Sequence, residues 1–290
     1  MSLCLYGETP AARQTGTVLL ARQYGTPPPR KSMDAAPAPT QRFTSRVDNY
    51  VRYRPSYPPS ALALLESRCG LSAQAVVADV GSGTGILTTL LLASGAQVIG
   101  VEPNDGMRAA AERALGGSAR FRSVRGSAEA TTLAAESVDL WVAAQAFHWF
   151  RVEDARREAL RVIRPGGWGA LLWNEHPSSG SAFLGDYEAL VRRHAPEFDQ
   201  VVGSRADEAS MGAFFGGAME LARFPNQQVF DYEGLVGRLL SSSYAPEPGH
   251  AQHEPMLADL RQVFLRHARD GKIVFPYVTL VYFAQLKPPR

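Results

Sequence analysis

The chain has 290 residues, of which 45% are hydrophobic and 20% charged, the usage of an ordinary globular protein with a buried core. Its 30 Lys and Arg against 28 Asp and Glu leave a net charge of +2, so charge gives no reason to expect nucleic acid or an anionic membrane as the main partner. The two cysteines, Cys4 and Cys69, are far apart, which excludes a disulfide scaffold or a Cys-rich zinc site and predicts a cytoplasmic protein.

Residues 1–42 are predicted to form a flexible or disordered extension. The run Pro27-Pro28-Pro29 is followed by Pro37 and Pro39, and periodic apolar residues are scarce. Such a segment buries too little apolar surface to offset its chain entropy. Two interpretations remain open for it: an organelle transit peptide, or a stretch upstream of a biological start at Met33.

From residue 43 onwards, short apolar runs alternate with helical segments. Prolines before a helix and glycine after it punctuate the first helix, between Pro58 and Gly70. Strands separated by helices predict right-handed βαβ units, and therefore an α/β fold with a doubly wound, mostly parallel, Rossmann-like sheet and helices on both faces. The predicted strands are Ala75–Val80, Gln97–Val101, Ala119–Val124, Val138–Ala143 and Gly169–Trp173, and the helices among them are Ile86–Ala93, Asp105–Leu115 and Glu153–Ile163, the last ended by Arg164-Pro165-Gly166-Gly167.

After Trp173 the alternation becomes less regular. Helices are predicted near Asp186–His194, Tyr232–Leu240 and Pro255–Ala268, and strands near Gln227–Phe230 and Tyr277–Leu286. The two late strands bring the predicted sheet to seven. We therefore expect residues 43–174 to form a ligand-binding core, and residues 175–290 to supply a C-terminal helical insertion that covers the substrate together with the final strands of the same sheet.

The strongest local motif is Asp79-Val80-Gly81-Ser82-Gly83-Thr84-Gly85, between a predicted buried strand and a helix. Glycines at such a turn let the backbone approach a ligand closely. A dinucleotide fingerprint would need glycine where Ile86 stands, and a P-loop would need Gly-Lys-Ser/Thr, which the motif lacks. Phosphate binding is therefore not the natural interpretation.

An acidic residue follows about 20 residues after the glycine loop, at the end of the neighbouring strand. Glu102 closes the run Val98-Ile99-Gly100-Val101-Glu102. A carboxylate at this place suits the two hydroxyls of a ribose. The loop and the acid together predict a nucleoside site without phosphate-binding groups, whereas a tight turn beside a surface glutamate is the alternative.

The ordered set of motifs resembles the class I S-adenosylmethionine-dependent methyltransferases. The motifs are Asp79–Gly85, Glu102, Gly126-Ser127-Ala128-Glu129, Val138-Asp139-Leu140-Trp141 and Arg164-Pro165-Gly166-Gly167. Further motifs resemble the methyltransferase type 11 group that includes trans-aconitate methyltransferase-like proteins. These are Tyr50-x-x-Tyr53-Arg54-Pro55-x-Tyr57-Pro58, Gln145-Ala146-Phe147-His148-Trp149-Phe150, Ser242-Ser243-Tyr244-Ala245-Pro246 and Tyr277-x-Thr279-x-x-Tyr282.

The resemblance implies a cofactor, S-adenosylmethionine, with S-adenosylhomocysteine as its product. It implies that Asp79 and the loop backbone hold the methionine part and that Glu102 holds the ribose. Arg54 would pair with the cofactor carboxylate, although a surface arginine before a proline turn is an equal alternative. Many relatives have Asp where Ser127 stands, so Glu129 would have to replace that contact to the adenine. The implied cofactor-binding residues are Tyr53, Arg54, Asp79, Gly81, Ser82, Gly83, Gly85, Glu102, Pro103, Met107, Ser127, Ala128, Glu129 and Gln145.

Methyl transfer requires the acceptor to be aligned, water to be excluded and, for an O–H or N–H acceptor, a proton to be removed. His148, expected at the carboxyl end of the fourth strand, is the candidate base, or else it packs to hold the Gln145 loop. Trp149, Phe150 and Trp173 are expected to wall the substrate pocket or to belong to the core. No metal is expected, because His250-x-x-His253-Glu254 is predicted to lie in a Pro/Gly-rich loop.

The sequence thus predicts a methyltransferase that acts on an O or N atom of a small molecule. The alternatives are a non-catalytic scaffold that binds S-adenosylmethionine and, disfavoured by Ile86, an NAD-dependent oxidoreductase. A carboxylic acid and a secondary metabolite are both compatible as acceptors. No apolar run reaches the roughly 18 residues of a membrane span, so a membrane is not expected as a partner.

Overall fold

The computed structural model describes residues 47–177, 181–199 and 207–290, so the predicted extension 1–42 lies outside the described residues. The strands are β1 (Val76–Val80), β2 (Gln97–Val101), β3 (Phe121–Val124), β4 (Val138–Ala144), β5 (Ile163–Glu175), β6 (Glu220–Phe230) and β7 (Ile273–Gln285). The helices are α1 (Val47–Tyr53), α2 (Pro59–Arg68), α3 (Ile86–Ala93), α4 (Asp105–Leu115), α5 (Val152–Val162), α6 (Ala182–His194), α7 (Glu208–Phe215), α8 (Tyr232–Leu240) and α9 (His253–His267).

All the strands of the described residues form one seven-stranded sheet, in the order β3-β2-β1-β4-β5-β7-β6. Strands β1 to β5 pair in parallel, whereas β7 runs antiparallel to both β5 and β6. This arrangement confirms the predicted α/β fold with a mostly parallel seven-stranded sheet. The order reverses between β2-β1 and β4, and in open α/β sheets such a point opens a crevice at the carboxyl ends of the strands.

The central strands are buried on both faces, as their uninterrupted apolar runs predict. Ala78, Val80 and Trp141 belong to the core on one face, and Val77 and Leu140 to the core on the other. Each of these side chains is at most 1% exposed. The carboxyl ends of β1 and β4 therefore project from a rigid double-sided core.

Strand β5 begins earlier than predicted. The Arg164-Pro165-Gly166-Gly167 turn was expected to precede a strand at Gly169, but Ile163 already pairs with Val138 of β4, and the register shifts between Val138 and Leu140. Gly166 keeps the left-handed backbone that such a turn needs, with φ of +84°. Its N–H also donates to the carbonyl of Lys287, 3.0 Å away, so backbone pairing continues through the motif.

The second half of the chain differs most from the prediction. Helices α1 and α7 were not predicted, and β6 begins at Glu220 instead of Gln227. Pro225 lies inside β6, where it pairs with Val278, and an edge strand tolerates proline because its outward N–H needs no partner. Strand β5 continues through residue 174 to Glu175, and β6 and β7 belong to the same sheet.

Helices α6, α8 and α9, with residues 241–246 after α8, form what we call the cap. Their apolar side chains share a buried cluster with Phe275 and Tyr277 at the start of β7. Two carboxylates join α6 to α9. Asp259 pairs with Arg193 at 2.8 Å and lies 2.8 Å from His194 Nε2. Asp186 pairs with Arg266 at 2.6 Å and lies 2.7 Å from His267 Nε2. None of the helices in the described ranges combines the length and apolarity needed to cross a membrane.

Candidate active site

The glycine loop turns sharply between β1 and α3. Gly81 and Gly85 have φ of +71° and +89°. A Cβ atom on Gly81 would lie 2.5 Å from the Cβ of Ala146, so a side chain has no room there. The Gly81 N–H donates to the Val101 carbonyl over 2.8 Å, which ties the loop to β2. Both the backbone angle and the lack of space therefore require glycine at position 81.

Asp79 ends the buried part of β1 with a side chain that is 1% exposed. Its Oδ2 accepts a 2.6 Å hydrogen bond from Thr88 Oγ1 of α3, whereas its Oδ1 is buried without a hydrogen-bond partner. Burial raises the pKa of this carboxyl to about 7; the bond from Thr88 opposes that rise and the nearby Glu102 adds to it. A buried carboxylate oxygen without a donor is what a cationic ligand would satisfy.

Glu102 closes the loop from the end of β2. Its Oε2 accepts the Gly83 N–H at 2.9 Å and its Oε1 accepts the Asn104 N–H at 2.8 Å. The side chain is 6% exposed, and burial raises its pKa while the two backbone N–H groups oppose the rise. The structure thus joins the predicted glycine loop and acid directly. We call residues 79–85 and Glu102 the glycine-loop wall.

A cavity of about 350 Å³ lies between the glycine-loop wall and the cap, at the carboxyl ends of β1, β4 and β5. Its lining mixes aromatic, amide and charged side chains, as ligand pockets do. The predicted site residues that reach it are Arg54, Asp79, Gly81, Ser82, Gly83, Gln145, His148, Trp149 and Trp173.

The segment after β4 brings Gln145 and His148 to the cavity. Gln145 has φ of +55°, an uncommon angle for a residue other than glycine, and its Nε2 donates to the Asn174 carbonyl at 3.2 Å. The helical turn Phe147–Trp149 then presents the His148 ring, 4.7 Å from the ring of Trp149. His148 and Trp149 both line the cavity beside Gln145.

Half of the predicted site residues do not line the cavity, Phe150 and Tyr53 among them. Phe150 packs edge-on against Trp141 and Phe147, beside Gly81, and does not reach the cavity lining. Tyr53 lies against Gly237 of α8, where its ring fills the space that a Cβ would need. Both rings bury more apolar surface in these positions than at a wet rim.

Seven other residues predicted to bind the cofactor are also absent from the cavity lining. Met107 is buried with its Sδ 3.7 Å from the Cβ position of Gly83. Ala128 belongs to the core, and Glu129 Oε1 accepts the Arg151 N–H at 2.8 Å, at the start of α5. The seven predicted cofactor residues that do not line the cavity, besides Tyr53, are Gly85, Glu102, Pro103, Met107, Ser127, Ala128 and Glu129.

Several lining residues were missed by the sequence analysis. Tyr50 and Tyr57 lie inside a motif already noted, as do Ser243 and Tyr244, but no role was predicted for them. No sequence motif pointed to a site role for Asn174, His176, Glu188 or Arg238. His176 Nδ1 lies 3.1 Å from Glu188 Oε1, so a second imidazole borders the cavity. The lining residues for which the sequence predicted no role include Tyr50, Tyr57, Asn174, His176, Glu188, Arg238, Ser243 and Tyr244.

Arg54 is partly buried and lines the cavity, whereas the alternative was a surface arginine. Its Nη2 donates to the Ser241 carbonyl at 2.8 Å and its Cζ lies 5.0 Å from the centre of the Tyr50 ring. Its Nε is buried without an acceptor, and none of its bonds within the described ranges goes to a carboxylate. Burial lowers the pKa of this guanidinium, and the positive charge of Arg238 lowers it further.

His250 and His253 lie at the start of α9, where the His253 N–H donates to the His250 carbonyl. His253 is the first residue of that helix, so its predicted place in a loop without helical context is wrong. Its Nδ1 lies 2.8 Å from the Pro246 carbonyl. Within the residues whose structure is known, no three His, Cys, Asp or Glu side chains are grouped as metal ligands would be.

Comparisons with known proteins agree with this geometry. Residues 78–171 match the model of the methyltransferase domain family. An uncharacterized methyltransferase of Mycobacterium tuberculosis is 41% identical over 254 residues, which cover 84% of this chain and 95% of that protein.

Two solved structures show the same fold at low identity. A candidate type II methyltransferase from Anaeromyxobacter dehalogenans matches with a TM-score of 0.57 and 20% identity, over 81% of this chain and 99% of that one. A phosphoethanolamine N-methyltransferase from Haemonchus contortus, solved with phosphomonomethylethanolamine and S-adenosylhomocysteine, matches with a TM-score of 0.53 and 13% identity, over 84% of this chain and 57% of that one.

Proposed function

Because the chain belongs to the class I S-adenosylmethionine-dependent methyltransferases, we propose that it transfers the cofactor's methyl group by in-line displacement to an O or N atom of a small molecule. The observation that carries this proposal is the pair of buried carboxylates, Asp79 and Glu102, on either side of a glycine loop that borders the cavity.

The residues of the glycine-loop wall fit the cofactor. The unpartnered Oδ1 of Asp79 suits the cationic amino group of its methionine part, and Arg54 suits its carboxylate. The lone pairs that remain on the Glu102 carboxylate suit the ribose hydroxyls. When bound, the cofactor supplies a methyl group already activated by a positively charged sulfur.

The chain's own groups supply alignment, exclusion of water and proton removal. The cap covers the cavity and excludes water from it. Trp149 and Trp173 line the cavity as apolar walls for the acceptor. We propose His148 as the base that accepts the proton of an O–H or N–H acceptor, whereas a carboxylate acceptor would need no base.

We propose a small carboxylic acid or a secondary metabolite as the acceptor, the former in keeping with the resemblance to the trans-aconitate methyltransferase-like branch. Nucleic acid and membranes are not proposed as partners, because the net charge of +2 gives neither an electrostatic attraction. The buried free thiol of Cys69 supports the proposal of a cytoplasmic location.

Calorimetry at pH 8 with S-adenosylhomocysteine and with NAD tests the proposed function. We expect binding of the first and none of the second; tighter binding of NAD would overturn the proposal in favour of an oxidoreductase. A homocysteine-release assay over small acids, phenols and amines then separates an enzyme from a scaffold. Binding of S-adenosylhomocysteine without turnover of any acceptor would favour the scaffold.

A further inference from the structure

A buried arginine of the cap, Arg238, lines the cavity together with Asp79 and Arg54. It belongs to the last turn of α8 and is 5% exposed. Its Nε donates to the Tyr277 hydroxyl at 2.9 Å, and its Nη1 donates to Ser242 Oγ at 3.2 Å. Its Cζ also lies 5.3 Å and 5.9 Å from the centres of the Phe275 and Tyr277 rings. The guanidinium is therefore held in one orientation.

This guanidinium lacks the partner that buried charge normally requires. In the described parts of the chain, the hydrogen bonds of Arg238 go to two neutral hydroxyls, and its Nη2 donates to no acceptor. By contrast, Arg161 pairs with Glu158 at 2.7 Å and Arg164 pairs with Asp139 at 2.7 Å. A buried cation without an anion is costly, and the fold keeps this one on the lining of a cavity.

Arg54 and Arg238 are also close enough for their positive charges to interact unfavourably. Among the described residues, neither guanidinium group bonds to a carboxylate. Two anionic groups of bound ligands would neutralise the two positive charges. The proposed cofactor brings one carboxylate, which the resemblance assigns to Arg54, a lining residue of the same cavity. One anionic group remains for Arg238.

We infer that Arg238, oriented by Tyr277 and Ser242, binds an oxyanion of the methyl acceptor, a carboxylate or a phosphate. This inference rests on the proposed function and adds that the acceptor is an anion whose apolar body lies along the aromatic lining. Trp149, Trp173 and Tyr244 provide that lining. The guanidinium fork holds the oxyanion by paired N–H donors, so the charge and the orientation of the acceptor are selected together.

The test measures binding of matched anionic and neutral probes to the full chain loaded with S-adenosylhomocysteine. The carboxylate arm compares 4-hydroxybenzoate with 4-hydroxybenzamide, and the phosphate arm compares phenyl phosphate with phenol. The variants are Arg238→Gln and Arg238→Lys. The matched control is Arg261→Gln, an exposed cap arginine whose Cζ lies 5.2 Å from the Tyr232 ring.

We expect wild-type protein and the Arg261→Gln control to bind at least one anion about tenfold or more tightly than its neutral analogue, as for a charged hydrogen bond. Arg238→Gln should remove that preference, Arg238→Lys should keep part of it, and the Kd of S-adenosylhomocysteine should change less than about threefold. The arm that shows the preference identifies the oxyanion. If Arg238→Gln does not fold, Tyr277→Phe, which frees the Arg238 Nε, should reduce the preference instead.

Equal binding of anions and neutral analogues, or no binding of either anion, would overturn the inference. So would a loss of S-adenosylhomocysteine affinity in Arg238→Gln as large as the loss of anion affinity, since Arg238 would then hold the cofactor. Failure of the wild type to bind S-adenosylhomocysteine at all is a different result, because it removes the proposed function itself.

Discussion

The two sides of the cavity are built in different ways. In the glycine-loop wall, Asp79 accepts a hydrogen bond from Thr88, which is 9 residues away in the sequence. Glu102 accepts a hydrogen bond from Gly83, which is 19 residues away. In the cap, Arg238 meets Tyr277 across 39 residues, and Arg54 meets Ser241 across 187. The first side is a local motif, whereas the second exists only after distant segments have packed.

This difference also divides the chemistry. The glycine-loop wall holds two carboxylates with raised pKa values, and the cap side holds two guanidinium groups without carboxylate partners. A ligand that is cationic at one end and anionic at the other satisfies both. In the proposed function, the wall holds the cofactor and the cap binds the acceptor.

The largest expected effect concerns His148, at the junction of the two sides. If it removes a proton from the acceptor, His148→Ala should lower kcat about 10²–10⁴-fold, the usual contribution of a general base. His176→Ala is the matched control, because His176 lines the same cavity but is bonded to Glu188. Full kcat in His148→Ala from pH 6 to 9 would remove the base role.

The next largest effect separates a glycine of the wall from a glycine of the cap. Gly81→Ala should lower the free energy of unfolding by about 2–5 kcal/mol, because left-handed strain adds to the clash with Ala146. Gly185→Ala, in α6 with open space around it, should instead raise it by up to about 1 kcal/mol. Urea denaturation of both variants checks this, and equal behaviour would contradict it.

Asp79→Asn should weaken cofactor binding by up to about 3 kcal/mol, the upper end for a charged hydrogen bond, while stabilising the free protein. The raised pKa of Asp79 means that the folded state holds a proton that the unfolded state has lost between about pH 4 and 7. The stability that this proton contributes is present at low pH and lost as the pH rises through about 7. Asn is uncharged at every pH and therefore avoids this loss. The free energy of unfolding at pH 8 should be about 1–3 kcal/mol higher in Asp79→Asn than in the wild type.

The same titration predicts the pH dependence of ligand binding. The amino group of S-adenosylhomocysteine needs an ionised Asp79, so affinity should rise from pH 5 to 8 and binding below pH 7 should release a proton. Calorimetry in buffers of different ionisation enthalpy measures that proton. A pH-independent affinity, or a thermal midpoint of Asp79→Asn below that of the wild type at pH 8, would contradict this assignment.

The smallest effect is expected at Glu102. Glu102→Ala should weaken S-adenosylhomocysteine binding by about 1–3 kcal/mol, because one charged hydrogen-bond acceptor is lost and Gly83 loses its partner. Glu112→Ala, on the exposed face of α4, is the control and should stay within about 0.5 kcal/mol of the wild type. Unchanged affinity in both Glu102→Ala and Asp79→Asn would refute the assigned cofactor site.

Much of the fold was predictable because its signals are local. The βα units from Val76 to Val162 differ from their predicted bounds by at most two residues at either end. The last strands were harder, because β6 carries a proline and an alternating pattern that an edge position explains only once its partner β7 is known. Phe150 was predicted at the pocket because the sequence does not show which of two adjacent aromatic rings, Trp149 or Phe150, faces the core.

The amino-acid sequence by itself determined the parallel sheet, the glycine loop and the acid that closes it, because steric limits at Gly81 and the two-sided burial of β1 leave little choice. Tertiary structure alone decided that Arg54, Arg238 and His176 share a cavity with Asp79. Their meeting depends on long-range packing of α1, α8 and β7, whose free energy is spread over many apolar contacts and leaves no local pattern in the chain.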